Sequence, residues 1–464
     1  MWYSKALVAV AFGAVGLHGA MAAPTPEEAA QLGKSLTPFG AIKAGNKDGS
    51  IPEWTGGVCT PPAGYKPARG LEAGGAPYVD PFATDKPLLK VTAADVDKYG
   101  DRLDEGTKEL LRLHAKTFYL NVYPSRRSAC FPDWVYENTV KRVMKPALVG
   151  GDVPSLTGAH AQVPFPIPKS GAEAMWNTVV KVEPRDTSFE FTKWLVDGWG
   201  NRIGISQELI ANQNLYWDNS LKEVPEDRPY WTLISKATAP ASQSGTMQMR
   251  HQFLRADQKG APAWSYLPGQ RRVRLAPEFS YDRVGIAAGG ILLYDEINGF
   301  DGKMDRFDFK LLGRRDMLVP YNTYAYWQSG ADVIKPGHVE PSVLRFELHR
   351  TWVVEATLKA GARHLQKKKV FFIDEDSWNI LVYYSIDQSD RVHHVMYLLP
   401  IQAYDKPEIR NTSYILYDFV KGAYLASNKF GDEGLAGVPA APYKTRPYPA
   451  SYFTAESMAG MGVR

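Results

Sequence analysis

The chain has 464 residues, and its 54 Lys and Arg stand against 50 Asp and Glu for a formal net charge of +4. That even balance provides no general basic field, so nucleic acid is not an expected partner. Aromatic residues make up 12% of the chain, with 25 Tyr and 12 Trp, and such side chains suit half-buried sheets and apolar binding surfaces.

Lys5 forms a short positive start, Ala6 to Leu17 an apolar run, and Ala20-Met21-Ala22 a small-x-small pattern. Together these predict a signal peptide over residues 1–22, cleaved before Ala23. The run is shorter than the roughly 20 apolar residues of a membrane span. No cysteine lies near the cleavage site, which excludes anchoring as a lipoprotein. The mature chain is therefore expected free in the periplasm.

From Pro24 to about Pro87 the chain is rich in Gly and Pro and reads as an extended strap pinned by Trp54 and Tyr65. Gly45-Asn46-Lys47-Asp48-Gly49 lacks the alternating acids and closing Glu of a calcium loop, and reads as a plain turn. Cys59 and Cys130 are the two cysteines. An oxidising compartment permits a disulfide between them, and two unpaired buried thiols fit equally well.

Thr92, with Asp95 three residues on, predicts a capped helix carrying Leu103, Leu110, Leu111 and Leu113. Asn121 to Pro132 reads as turn-rich, Trp134 to Val143 as a second helix, and Ala172 to Asn177 as a further helical turn after a Pro-rich entry. Beyond Val179 short β-branched and aromatic runs alternate with turn signals, the pattern of an antiparallel β architecture. The predicted strands include Phe189–Trp194, Gly245–Leu254, Ala263–Leu267, Arg271–Leu275, Leu344–Leu358, His364–Ile373, Ile380–Ile386 and Val392–Leu398. The Leu344–Leu358 run alternates apolar and charged residues, which implies one covered face and one wet face.

No glycine-flanked serine, phosphate loop, dinucleotide fingerprint or zinc-helix spacing occurs, so nothing marks the chain as an enzyme or a metal protein. His393-His394 sits in a predicted strand, where successive rings should point to opposite faces. Asp374-Glu375-Asp376 reads as a solvated hairpin turn, and Lys367-Lys368-Lys369 as a wet strand edge. Arg271, Arg272 and Arg274 lie close in sequence to Trp264 and Tyr266, so a hairpin there would bring guanidinium groups to aromatic rings.

Several motifs recur together: Gly40-Ala41 through Gly57, Pro164 to Asn177, Tyr266 to Arg274, Gly299 to Pro320, and Phe346 to Leu358. On these the chain resembles an exported domain-of-unknown-function family, number 1329, described as outer-membrane lipoprotein-sorting-like. The resemblance implies an α+β, β-rich fold similar to LolA and LolB, in which a curved antiparallel half-barrel sheet is lidded by helices. It also implies association with envelope transporters of the resistance-nodulation-division type, and it supplies no catalytic residues. The resulting division is a strap and helices over 23–175, the half-barrel over 176–435, and an irregular tail over 436–464. The expected role is a carrier or chaperone for a lipid or other hydrophobic small molecule, partnered by an inner-membrane transporter or outer-membrane protein. Trp264, Tyr266, Trp352 and Val354 are the candidates for the cavity wall, with Arg271 and Arg272 at its mouth. A non-catalytic envelope adaptor, its sheet filled by its own side chains, is the alternative, and a hydrolase the third reading.

Overall fold

A computed structural model describes residues 23–66, 78–277, 281–285, 288–428, 435, 445 and 447–462. The expected leader, Met1 to Ala22, lies outside the described residues. Among the described residues no helix is long and apolar enough to cross a membrane.

One open sheet of 15 strands organises the chain. Its order runs from Leu89–Val91 and Leu120–Tyr123 at one edge through Phe346–Leu358, Gln366–Asp374, Ile380–Asp387, Val392–Leu398, Tyr414–Asp418 and Ala423–Asn428. It continues through Asp186–Val196, Arg202–Asn214, Trp231–Ala239, Met247–Gln252, Ala263–Leu267 and Arg272–Leu275, while Phe307–Pro320 also pairs with Phe346–Leu358. All these pairings are antiparallel except the short contact of Phe346 and Glu347 with Val122 and Tyr123. The molecule is an α+β half-barrel in which the chain's middle and its end are joined by the pairing of Ala423–Asn428 with Asp186–Val196.

Both faces of the sheet are covered. One face packs Trp352, Val354, Phe371, Ile373, Tyr383 and Leu416 against the Gly171–Val179 helix. That helix is capped by the Ser170 hydroxyl, which accepts from Glu173 N–H at 3.2 Å. The other face packs Val353, Phe372, Val382, Val395 and Tyr417 against the Glu105–Leu113 helix. The predicted wet face of Leu344–Leu358 is wet only at its far end, where Thr357 is exposed and Glu355 half-buried; Arg345, Glu347 and His349 are buried beneath the 321–327 segment and the strap. Nor does the apolar row keep to one cluster, since Phe346 and Leu348 join the second and Trp352, Val354 and Ala356 the first.

The long helix expected from Thr92 is broken. Asp95 accepts from Thr92 N–H at 3.0 Å as the spacing suggests, but only a 3-10 turn follows, at Ala93–Asp95. The helix proper starts at Glu105, where Asp104 accepts from Thr107 N–H at 2.9 Å. Gly100 and the better cap at Asp104 explain the break. The turn-rich 121–132 passage contributes the strand Leu120–Tyr123, and the C-terminal tail carries the helix Ala455–Gly462, both departures from the expected irregular structure.

The strap is tied down by buried arginines. Arg127 donates to Lys43 O at 3.1 Å and Pro52 O at 3.3 Å, while Arg350 donates to Ile42 O at 3.0 Å and Ala44 O at 2.7 Å. Arg314 reaches Gly40 O at 2.7 Å, and Trp378 Nε1 donates to Phe39 O at 3.0 Å. Trp54 packs edge-on against Tyr136 at 6.1 Å, and Tyr65 joins a ring cluster with Tyr78 and Tyr404. Cys59 and Cys130 are disulfide-bonded, with Cα atoms 5.6 Å apart, within the range such a bridge needs.

Candidate functional site

Four adjacent strands leave a cavity on one face. Period-two side chains line it: Thr187, Phe189, Phe191 and Lys193, then Glu208, Ile210 and Asn212, then Trp231, Leu233 and Ser235, then Gln248 and Arg250. The register places them in rows, with Phe189 beside Ile210, Ile210 beside Ser235, and Ser235 beside Gln248. A second row runs through Thr187, Asn212, Leu233 and Arg250. The opposite wall is the 288–298 segment, through Ala288, Leu292 and Ile297, closed at one side by Ile409 and Tyr414. The cavity measures about 160 Å³.

Its chemistry is apolar with neutralised charges. Phe189, Phe191, Trp231 and Leu233 stay only half-buried because they face this space. Each cation on the wall has a carboxylate: Lys193 meets Glu208 at 2.7 Å, Arg250 meets Asp301 at 2.5 Å, Lys181 meets Glu183 at 3.4 Å, and Arg410 meets Glu408 at 3.1 Å. Paired charges give no net attraction for an ion, so the surface favours a neutral, hydrophobic occupant.

A buried polar network holds the lid segment against the sheet. Glu296 accepts from His394 Nδ1 at 2.7 Å, from Gln366 Nε2 at 2.6 Å and from the Tyr383 hydroxyl at 2.8 Å. Its neighbour Asp295 pairs with Lys369 at 2.5 Å and His364 at 2.9 Å. Burial opposes the charge on His394, but Glu296 and Asp418 outweigh it and raise its pKa to about 9. Burial likewise opposes ionisation of Glu296, yet the His394 charge brings it down to about 2. The lid is thus riveted by an imidazolium and two carboxylates.

Two expectations from the sequence are corrected here. Lys369 is not at a wet edge but 1% exposed, inside the ion pair with Asp295; Lys367 and Lys368 remain partly exposed. The rings of His393 and His394 do not diverge but stack, with centroids 3.8 Å apart. The pairing explains it: Tyr384 faces Val395 and Ile386 faces Val392, so two histidines stand opposite Ser385 alone in a bulge. Burial and the charge on His394 push the His393 pKa down to about 4.

The Asp374–Asp376 turn is a third correction. Those carboxylates are 0%, 2% and 5% exposed, because the strap folds over them. Asp376 takes a forked pair from Arg127, at 2.8 and 2.6 Å, and Glu375 is met by Arg350 at 3.0 Å and Arg314 at 3.2 Å. Burial and the Asp376 charge push the carboxyls of Asp374 and Glu375 up. The donor atoms of His349, Asp374 and Asp376 lie within 4.8 Å of one another. They are already engaged, His349 with Glu347, Asp374 with Tyr321 and Ser377, and Asp376 with Arg127.

The six residues proposed from sequence for the cavity and its mouth lie elsewhere. Trp352 and Val354 are filled core, the Trp352 ring stacking on Trp378 at 6.0 Å with the Arg314 guanidinium 3.9 Å from its centroid. Tyr266 is buried under the C-terminal helix, its hydroxyl donating to Gly462 O at 2.9 Å, and Trp264 packs against His251 at 4.7 Å. Arg271 and Arg272 are exposed on the predicted hairpin, and among the described residues neither contacts those rings. Two of the strands that form the cavity, Arg202–Asn214 and Trp231–Ala239, are not among those expected from the sequence; in the first, Ser206-Gln207-Glu208 and Leu209-Ile210-Ala211 interrupt the alternation that marks a strand.

A family profile described as "Protein of unknown function (DUF1329)" matches residues 90–459. The chain belongs to this family. It is 36% identical over 420 residues to the uncharacterized protein PA3922 of Pseudomonas aeruginosa, covering 89% of this chain and 90% of that one. Among solved structures, an outer-membrane lipoprotein-sorting protein domain from Vibrio parahaemolyticus is similar at 11% identity and a TM-score of 0.43, over 62% of this chain and 98% of that one. A DUF1329 protein from Desulfovibrio piger is similar at 14% identity and a TM-score of 0.42, over 61% and 95%. The LolA superfamily protein NE2245 from Nitrosomonas europaea is similar at 11% identity and a TM-score of 0.37, over 62% and 100%.

Proposed function

We propose that this chain is a periplasmic, non-catalytic carrier or chaperone for a lipid or another hydrophobic small molecule, cooperating with an envelope transporter. The observation that carries the reading is the apolar cavity beneath the 288–298 lid, where four large side chains stay half-exposed. Its volume of about 160 Å³ is close to that of an engineered apolar cavity of ~150 Å³ that binds benzene. It therefore suits a ring or a short stretch of acyl chain, with each buried CH₂ contributing about 0.8 kcal/mol. Six such groups would supply roughly 5 kcal/mol before ordering costs.

Leu233→Trp tests the reading, because the new indole would occupy the centre of the cavity wall. Titration of a fluorescent fatty acid should show saturable binding to the wild type and at least tenfold weaker binding to the variant, with melting temperatures alike. Equal affinity in both proteins would locate binding elsewhere. The adaptor reading draws on the other half of the sheet, where Trp352, Phe371, Ile373, Trp378 and Tyr383 are buried in one hydrophobic cluster.

A further inference from the structure

A second, larger space lies away from the lidded cavity, between the C-terminal end of the Asp133–Arg142 helix, the 156–162 segment and the 222–228 loop. It measures about 490 Å³, within the roughly 300–1,000 Å³ of small-molecule sites. Its electrostatics are the reverse of the first cavity's. Arg142, Lys145, Lys222 and Arg228 line it, and among the described residues none of the four has a carboxylate at ion-pair distance. Arg255 is paired with Asp257 at 2.8 Å, and the acids on the wall are Glu223 and Glu226, both exposed on the loop.

The floor carries one buried acceptor without a donor among the described residues. His160 is 4% exposed, and its ring meets the backbone of Leu215 and Asp218, outside the cleft. Burial and the Arg142 charge hold its pKa down. Gln162 is fully buried; its Nε2 donates to Arg142 O at 3.2 Å, which leaves Oε1 as an acceptor with no donor. A buried unpaired polar atom costs about 1–3 kcal/mol, a cost that a bound ligand would remove. Cations alone would fit any anion. A buried acceptor beside them calls for a ligand that also brings hydroxyl or amine donors.

We propose that this cleft binds a small hydroxylated anion, a phosphate or carboxylate flanked by hydroxyl groups. The anionic group lies among Arg142, Lys145, Lys222 and Arg228, with the arginine forks suited to bidentate contact. A hydroxyl donates to Gln162 Oε1. Glycerol phosphate has this chemistry, either free in solution or as the headgroup of a phospholipid.

The test is calorimetry on the full chain with sn-glycerol 3-phosphate and with inorganic phosphate, alongside sedimentation with phosphatidylglycerol vesicles and with phosphatidylcholine vesicles. The expected result is salt-sensitive binding of glycerol 3-phosphate, weakened at least tenfold in the triple variant Lys145→Gln, Lys222→Gln, Arg228→Gln. Two of those side chains are exposed and one half-buried, and a circular-dichroism melt checks that the variant is folded. Gln162→Leu should lower the preference for glycerol 3-phosphate over inorganic phosphate. Binding to phosphatidylglycerol vesicles, with none to the free ester, would support the same site with a lipid headgroup as its source. Wild-type affinity for both probes weaker than about 1 mM, with no vesicle binding, would overturn the proposal. So would binding that the triple variant leaves unchanged. Leu233→Trp alters the lidded cavity alone, so loss of acyl binding there leaves this outcome independent.

Discussion

Trp352→Ala separates packed core from cavity wall. The ring is 7% exposed, stacks on Trp378 with a 14° interplanar angle, and carries the Arg314 guanidinium 3.9 Å from its centroid. Truncation of a core aromatic costs about 3–5 kcal/mol. Loss of a stacked partner contributes roughly 0.5–1.5 kcal/mol of it beyond area, and Arg314, which burial already disfavours as a charge, loses its apolar platform. The expected loss is therefore in the upper part of that range, about 4–5 kcal/mol. Urea unfolding followed by far-UV circular dichroism and by fluorescence measures it, coincident transitions licensing the comparison. Affinity for the fluorescent fatty acid should not change. A stability loss under about 1 kcal/mol together with weaker binding would refute the placement of Trp352 in filled core.

Arg127→Met should cost about 3–5 kcal/mol, because it strands the buried Asp376 carboxylate and releases two strap carbonyls; Asp376→Asn in the same background should recover part of the loss in urea melts. Reducing the Cys59–Cys130 bond, which spans 71 residues, should lower stability by about 4 kcal/mol on the loop-entropy scale, read as a shifted midpoint in dithiothreitol. His394 gains its charge on folding, so its pKa of about 9 gives a contribution that is complete below about pH 6.5 and is lost as pH rises through 9. His394→Gln should therefore flatten the decline in unfolding free energy between those two values, and an unchanged slope would remove His394 from the lid's rivet.

Part of the sheet after Val179 was legible from β-branched and aromatic runs between turn signals, and Val392–Leu398 is found where it was expected, whereas Arg202–Asn214, Trp231–Ala239 and Phe307–Pro320 are not among the expected strands. The disulfide was not legible, since spacing does not report Cα separation. Charged runs misled for one reason: Glu347, Asp374, Glu375 and Lys369 look solvated along the chain, but distant segments bring their counter-ions and a cover. Glu296, which rivets the lid, sits 98 residues from His394, a distance no local pattern spans. The cavity was misplaced because Trp352 and Val354 stand out in sequence, whereas Phe189, Phe191 and Leu233 acquire their role from a lid that is irregular in structure. Conspicuous aromatics mark core at least as readily as they mark a site.

The central claim is that the lidded cavity holds an apolar molecule in the cell. Lipid mass spectrometry on protein purified from its native cells, wild type beside Leu233→Trp, tests it most directly. The account predicts an acyl-bearing species near one per chain with the wild type and its absence from the variant. A wild type that carries no lipid and binds none when offered it would contradict the claim, as would a species retained equally by both proteins.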